Sequence, residues 1–332
     1  VIVKGEIVLS KRIALLFTVF LVLLLVFTSC KGKGSDINTP DTHEGNDEVE
    51  DELTRETIVY YADDAGYLVP VMRKIPWVEG IAKATIEVMM DTPEQQESLM
   101  IMGLRPLLPT DAKILGMSIV DGIAKVDFNN ALLECKDALS ESNMIQGLVM
   151  TLSGFSTIDK VQFMFNGQII EKMPHGTLVG SPIGPMDLNL EMSDDVAGEA
   201  SKVNIYFHSR SVSQFDYLVP VTRVTSSMHP TLENTIEEWL KGPVDKDNMT
   251  LDLPYDTKLL GIQMKDGVTY INFSKEFNNI ASDPKSEEMV LRALKLITSH
   301  YPEVEQLKIL VENKEYKNAD IIDDLPVFAN EY

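Results

Sequence analysis

The chain has 332 residues, of which 51 are acidic and 29 basic, giving a net charge of −22 at pH 7. Such a surface repels phosphate backbones and anionic headgroups, which argues against nucleic-acid binding and against electrostatic docking on a membrane. Only two cysteines are present, Cys30 and Cys135, so no disulfide framework is available and the fold must rest on its core.

Residues 1–29 read as a secretory signal. Lys11-Arg12 precede an apolar run from Ile13 to Val26, which ends at Phe27-Thr28-Ser29-Cys30. The run is shorter than the ~20 residues a spanning helix needs. A cysteine directly after two small residues reads as a lipobox, with Cys30 lipidated and forming the mature N-terminus, although Phe27 stands where leucine is usual. Residues 30–56 carry many acids and almost nothing apolar, so they are expected to form a disordered tether. Its r.m.s. reach is roughly 28 Å on a flexible-coil estimate.

The remainder says the same thing twice. Tyr67-Leu68-Val69-Pro70-Val71 with Arg73 returns as Tyr217-Leu218-Val219-Pro220-Val221 with Arg223. Leu115-Gly116 matches Leu260-Gly261, Asp121-Gly122 matches Asp266-Gly267, and Val161, Phe163 and Phe165 match Leu307, Ile309 and Val311. An ordered run of matches with small slips is a duplicated domain with loop insertions. The copies span 57–190 and 202–332, joined by a linker over 191–201.

Each copy opens with a predicted hairpin, Thr57–Tyr61 and Tyr67–Arg73 in the first, Val203–Phe207 and Tyr217–Arg223 in the second. A helix follows, with Pro76 or Pro230 as its first residue and Thr92-Pro93 or Gly242-Pro243 as its stop. Asp-Gly between apolar alternation then marks a second hairpin. A second helix, about Glu141–Leu152, has a counterpart opening at Asp283-Pro284. A last strand (Lys160–Phe165 or Gln306–Val311) leads to a closing Pro-x-x-x-Asn, Pro185–Asn189 and Pro326–Asn330. The order β-β-α-β-β-α-β predicts an α+β fold, a mainly antiparallel sheet with two helices packed on it. With a full set of elements, each copy is expected to fold as its own unit.

Candidate partner-binding residues lie on the first hairpins. Tyr67 and Arg73, like Tyr217 and Arg223, flank an apolar strip, a composition that suits a protein interface. A structural ion pair at the strand end is the alternative. Pro70 and Pro220 cannot donate to a ladder, so their strands are expected at a sheet edge, open to a partner.

These motifs, with Leu240-Lys241-Gly242-Pro243 and the approach from Leu253-Pro254 to Gly261, resemble the GerM-domain family of endospore-forming bacteria. The resemblance covers roughly residues 57–330. Copy one departs from it at Asp91-Thr92-Pro93 and in a longer loop before Pro109. It implies a non-catalytic lipoprotein of sporulation and spore germination, exported and anchored to the outer membrane around the forespore. Its implied partners are the proteins of the forespore–mother cell channel complex, and its fold is similar to the ring-building modules of secretion machines.

Reactive constellations do not appear. His43, His175, His208, His229 and His300 show no metal-ligand spacing and none recurs between copies, so no metal or cofactor is expected. Cys135 reads as an inert, half-buried thiol. The recurring acids Glu87/Glu237 and Asp121/Asp266 read as a solvated helix face and turn residues. The rival readings are a solute-binding lipoprotein, which needs a cleft between lobes, and a cell-wall hydrolase.

Overall fold

The computed structural model describes residues 53–192, 200–226, 230–318, 322 and 328–332. The signal segment, Cys30, most of the tether, His43, His229, Pro326 and the middle of the linker lie outside the described residues.

Copy one begins with β1 (Thr54–Asp63) and β2 (Leu68–Pro76), paired antiparallel with Tyr60 opposite Pro70 and Tyr61 opposite Val69. In β1 every second residue from Thr57 to Asp63 is buried, the period-2 signature of a strand with one face on the core. The strand starts at Thr54, so the tether ends before the expected Glu56. Next come α1 (Ile81–Glu87), α2 (Pro93–Met100) and the two-residue β3 (Leu104–Arg105), which pairs with the end of β1. The hairpin β4 (Ile114–Val120) and β5 (Ile123–Phe128) follows. Helix α3 (Ala138–Leu152) then crosses over and returns the chain as β6 (Lys160–Phe165), parallel to β5.

Copy two repeats the plan after the short β7 (Glu191–Met192). Its elements are β8 (Ser201–Arg210), β9 (Asp216–Thr225), α4 (Leu232–Leu240), β10 (Leu259–Lys265), β11 (Val268–Phe273), α5 (Pro284–Ser299), β12 (Gln306–Val311) and β13 (Lys314–Glu315). The α+β architecture is therefore the expected one, mainly antiparallel, with one parallel pair made by each crossover helix. Asp121 and Asp266 have φ of 50° and 53°, followed by Gly122 and Gly267 at 74° and 78°. Two successive left-handed residues make a type I′ turn, whose twist matches the strands it joins. A Cβ at Gly122 would also fall 2.2 Å from the Asp159 Oδ2, so a substitution there would have to push that carboxylate aside as well.

Two local readings change. Pro76 ends β2, and helix α1 starts only at Ile81 behind Gly80; Pro230 likewise precedes the cap Thr231. Thr92-Pro93 does not merely stop a helix but starts one. The Thr92 side chain accepts from Gln95 N, and Pro93, lacking an N–H, suits the first turn. The longer loop of copy one is thus an inserted helix, α2.

The crossover helices carry the core. Ile145, Leu148, Val149 and Leu152 of α3 are fully buried, and the helix touches both β1 and β6. On α5, Val290, Leu294 and Ile297 are buried against the second copy. The buried apolar residues of both copies form one continuous cluster. Among the described residues no helix is long and apolar enough to cross a membrane. Leu148→Ala should cost about 2–5 kcal/mol of stability in urea unfolding, the usual penalty for emptying a fully packed leucine site. A loss of only a few tenths would show that α3 is not the core's anchor.

Candidate functional site

The six residues singled out in sequence converge, but on each other's copies. Asn189, from the closing segment of copy one, forms a cyclic amide pair with Leu68: Leu68 N donates to Oδ1 and Nδ2 donates to Leu68 O, both at 2.9 Å. The same Nδ2 donates to Pro220 O of copy two at 2.7 Å. Asn330 does the converse. It pairs with Leu218 N at 2.7 Å and Leu218 O at 2.8 Å, and donates to Pro70 O at 2.9 Å. Exchanging the copies maps one set of bonds onto the other, so the seam has an approximate two-fold axis near Val69 and Val219.

The tails continue across this axis. Thr222 N donates to Leu188 O at 2.9 Å, and β7 runs parallel to β9 with Glu191 opposite Arg223. Met72 N donates to Asn330 O at 2.8 Å, and Glu331 bridges Met72 in parallel. Each copy's last residues therefore extend the other copy's hairpin. The expected edges differ between the copies: β9 lies between β7 and β8, whereas β2 remains the outer strand of its sheet with Asn330 and Glu331 against it, and both prolines are buried. The copies also exchange segments, and Glu191-Met192 of the supposed linker is a strand.

Tyrosine and arginine reinforce the seam. Tyr67 Oη donates to Asp245 Oδ2 of copy two at 2.7 Å, and Tyr217 Oη donates to Asp63 Oδ2 of copy one at 3.2 Å. Burial raises the Asp63 carboxyl, against the lowering effect of bonds from Tyr67 N and Tyr217 Oη. Asp245 is lowered, first by Asn248 and then by Tyr67. Arg223 is buried and fully engaged: Nη2 lies 2.7 Å from Glu191 Oε2 and 2.7 Å from Gly242 O, and Nη1 donates to Glu238 O at 2.7 Å. The strand-end ion pair is thus the role of Arg223, with its carboxylate supplied by the other copy's tail. Arg73, in the matching place, lies 4.3 Å over the Tyr332 ring instead.

Sequence reasoning missed His208. Its Nε2 is 2.7 Å from Asp216 Oδ1 and its Nδ1 is 2.6 Å from Asp252 Oδ2, with Arg210 Nε also 2.5 Å from Asp216. Burial works against the imidazolium, but the bonds and charges of Asp252 and Asp216 outweigh it and raise the pKa. Only Asp216 was findable, across the hairpin at β9; Asp252 arrives from a distant loop. The backbone pair between His208 and Thr250, at 3.0 and 2.7 Å, holds that loop down.

The remaining candidates are dispersed. His175 Nε2 sits 2.8 Å from Cys135 O, and His300 stacks on Tyr206. The Cys135 thiol is half-buried and pushed up to about 11 by burial, then by the Glu141 and Asp137 charges. Glu87, Glu237, Asp121 and Asp266 are all exposed. Among the described residues no cluster of three or more His, Cys, Asp or Glu could hold a metal. The cavity beside His208 has a volume of about 10 Å³, room for one water. Larger concavities lie on the flanks, a groove of about 650 Å³ beside α2 and one of about 340 Å³ after α4.

Comparison with known proteins gives this geometry a context. The family model Germane, described as sporulation and spore germination, matches residues 58–171 and 204–317. The chain is 28% identical over 270 residues to the spore germination protein GerM of Bacillus subtilis (strain 168), covering 77% of this chain and 71% of that protein. Its fold is similar to a solved structure of the tandem GerMN domains of the sporulation protein GerM from Bacillus subtilis. That likeness has a TM-score of 0.67 at 25% identity and covers 84% of this chain and 99% of the other.

Asn330→Ala strips the partners from Leu218 and Pro70 in a buried seam, at about 1–3 kcal/mol per unsatisfied group. Urea denaturation should show a loss of that order, with Asn189→Ala similar; a neutral Asn330→Ala would remove the seam's claim to hold the copies together. A second test uses pH. A raised His208 pKa stabilises the fold fully below the free imidazole value of about 6.5, and this is lost as pH climbs through the folded value. The Tm gap between wild type and His208→Gln should therefore be wider at pH 6 than at pH 9, and a gap independent of pH would refute the imidazolium.

Proposed function

The chain belongs to the Germane family of sporulation and spore-germination proteins, and from that premise we propose that it works by contact, without turnover, in assembling an envelope-spanning complex around the developing forespore. On this reading Cys30 carries the lipid that holds it at the extracytoplasmic face of the outer forespore membrane. Its partners are proteins of the channel complex between forespore and mother cell.

One observation carries the reading. Beyond turn and core positions, what the duplication kept, namely Tyr67/Tyr217, Pro70/Pro220, Arg73/Arg223 and Asn189/Asn330, is spent on joining the copies to each other. A duplicated enzyme or receptor would be expected to keep reactive or ligand-binding residues. The solute-binding alternative needs a cleft between the copies, whereas here the seam is bridged by asparagine amides and tyrosine hydroxyls. The matched relative is described as a spore germination protein and the matched structure as that of a sporulation protein, in keeping with a role in that process.

The decisive experiment is deletion of the gene in the endospore-forming host. The expected outcome is arrest after engulfment, with wild-type spore numbers sinking the proposal. Complementation with Cys30→Ala, read by mass spectrometry of the mature N-terminus and by fractionation, should show an unlipidated protein released from the membrane.

A further inference from the structure

The inserted helix α2 has no counterpart in copy two, and it builds something beside itself. Only Leu99 of its eight residues is buried. The stripe formed by Pro93, Glu97 and Met100 faces a groove of about 650 Å³ whose other side is β3, the outer strand of its sheet. Met100 is 65% exposed at the lip, Pro93 is exposed and Pro106 half-buried, so these three supply the groove's apolar surface over the buried Leu104. A helix of this size that buries one side chain gains little from its own packing. Besides a contact of Ile101 O with Ser211 of copy two, the groove is what it adds to the molecule.

Charge says what fits. Asp64, Asp91 and Glu97 line the groove against the single cation Arg105, which is already drawn to Asp64 at 3.5 Å and donates to Asp63 O at 3.0 Å. The corresponding region of copy two, after α4, is a groove of about 340 Å³ lined by Lys241 and Lys246 and by no carboxylate. The two linings thus differ in charge: three carboxylates and one paired cation in the first, and in the second Lys246 with Lys241, which Glu238 holds at 2.8 Å. A cationic segment is favoured in the first, which is how charge gives specificity rather than mere stickiness.

We propose that the α2–β3 groove of copy one receives an extended segment of a partner protein in which Lys or Arg alternates with apolar residues. The cations lie against Asp91 and Glu97, and the apolar side chains lie over Met100, Pro93 and Pro106. This rests on the contact reading above and supplies its partner chemistry.

The test uses methyl-labelled methionine in the full-length chain, in mild detergent. Its 16 methionines report from all over the molecule, Met100 from this groove and Met249 from the basic one. The probe is a capped Gly-Lys-Leu-Lys-Leu-Gly peptide, with Gly-Glu-Leu-Glu-Leu-Gly as its charge-reversed control. The expected result is a saturable shift at Met100 and none at Met249, with Glu97→Lys raising Kd about tenfold. Shifts spread equally over exposed Met192 and Met264, equal binding of the acidic peptide, or an unchanged Kd in Glu97→Lys would overturn the groove. In the host the two proposals separate. Normal sporulation of the deletion strain defeats the contact reading, whereas arrest of that strain with full rescue by Glu97→Lys defeats the groove alone.

Discussion

The asparagine at the end of each copy is the contact on which the tandem arrangement depends. Two strands, β2 and β9, approach each other near Val69 and Val219, and the backbone groups of Leu68, Pro70, Leu218 and Pro220 that face out of their hairpins need partners, because burying such groups unpaired is costly. A side-chain amide solves this because it carries a donor and an acceptor in the same plane as a peptide. Asn189 and Asn330 each complete a cyclic pair with their own copy's leucine, and the remaining N–H reaches the other copy's proline carbonyl. Aspartate would lack the donors, and alanine would leave the carbonyls bare. A proline at the receiving position has no N–H to satisfy, so its carbonyl alone needs a partner. The duplicated Pro and the duplicated Asn are two halves of one device.

Around that axis the copies have diverged in physically intelligible ways. Glu191 and Tyr332 both lie two residues beyond the clamp asparagine, and each meets the arginine of the other copy. Arg223 is deeply buried, so it needs a carboxylate and further carbonyls to offset its desolvation, and it has them. Arg73 is only half-buried, and an aromatic face is enough. The inserted α2 also touches the seam, since Ser211 of copy two donates to Ile101 O at 3.0 Å. Gly103, at φ 67°, lets the two copies meet there: a Cβ would stand 2.7 Å from that of Ser211.

What the residues announced were the local things. Asp-Gly turns, the Asp283-Pro284 helix start and the spacing of Ile145, Leu148 and Leu152 all act within a few residues, so their physics is written where they stand. The misread helix boundaries were also local, and each came from a proline read too narrowly. Pro76 closes a strand and Pro93 opens a helix, because a fixed φ and a missing N–H suit both places. The seam was hidden for a different reason. Nothing near Asn330 indicates that its amide reaches Pro70, 260 positions away, and nothing near His208 points to Asp252. Recurrence did flag Tyr67, Pro70 and Arg73 as important, but importance to a partner and importance to the other copy look alike in sequence.

Because the first hairpins are consumed by the seam, the surfaces left in duplicate are the second ones, and these raise a problem of their own. Strands β4 and β10 are the outer strands of their sheets and carry exposed Leu115, Ile119, Leu260 and Met264. An unpaired apolar strand edge invites unwanted pairing with another chain. Both strands answer it identically, with a break in register at the start, between Ile114 and Gly116 and between Leu259 and Gly261. A bulge bends the edge and spoils the flat template that a foreign strand would need. The net charge of −22 adds a long-range repulsion between copies of the chain. Duplication thus propagated both the hazard and its remedy. The groove beside α2 lies where the copies stop matching.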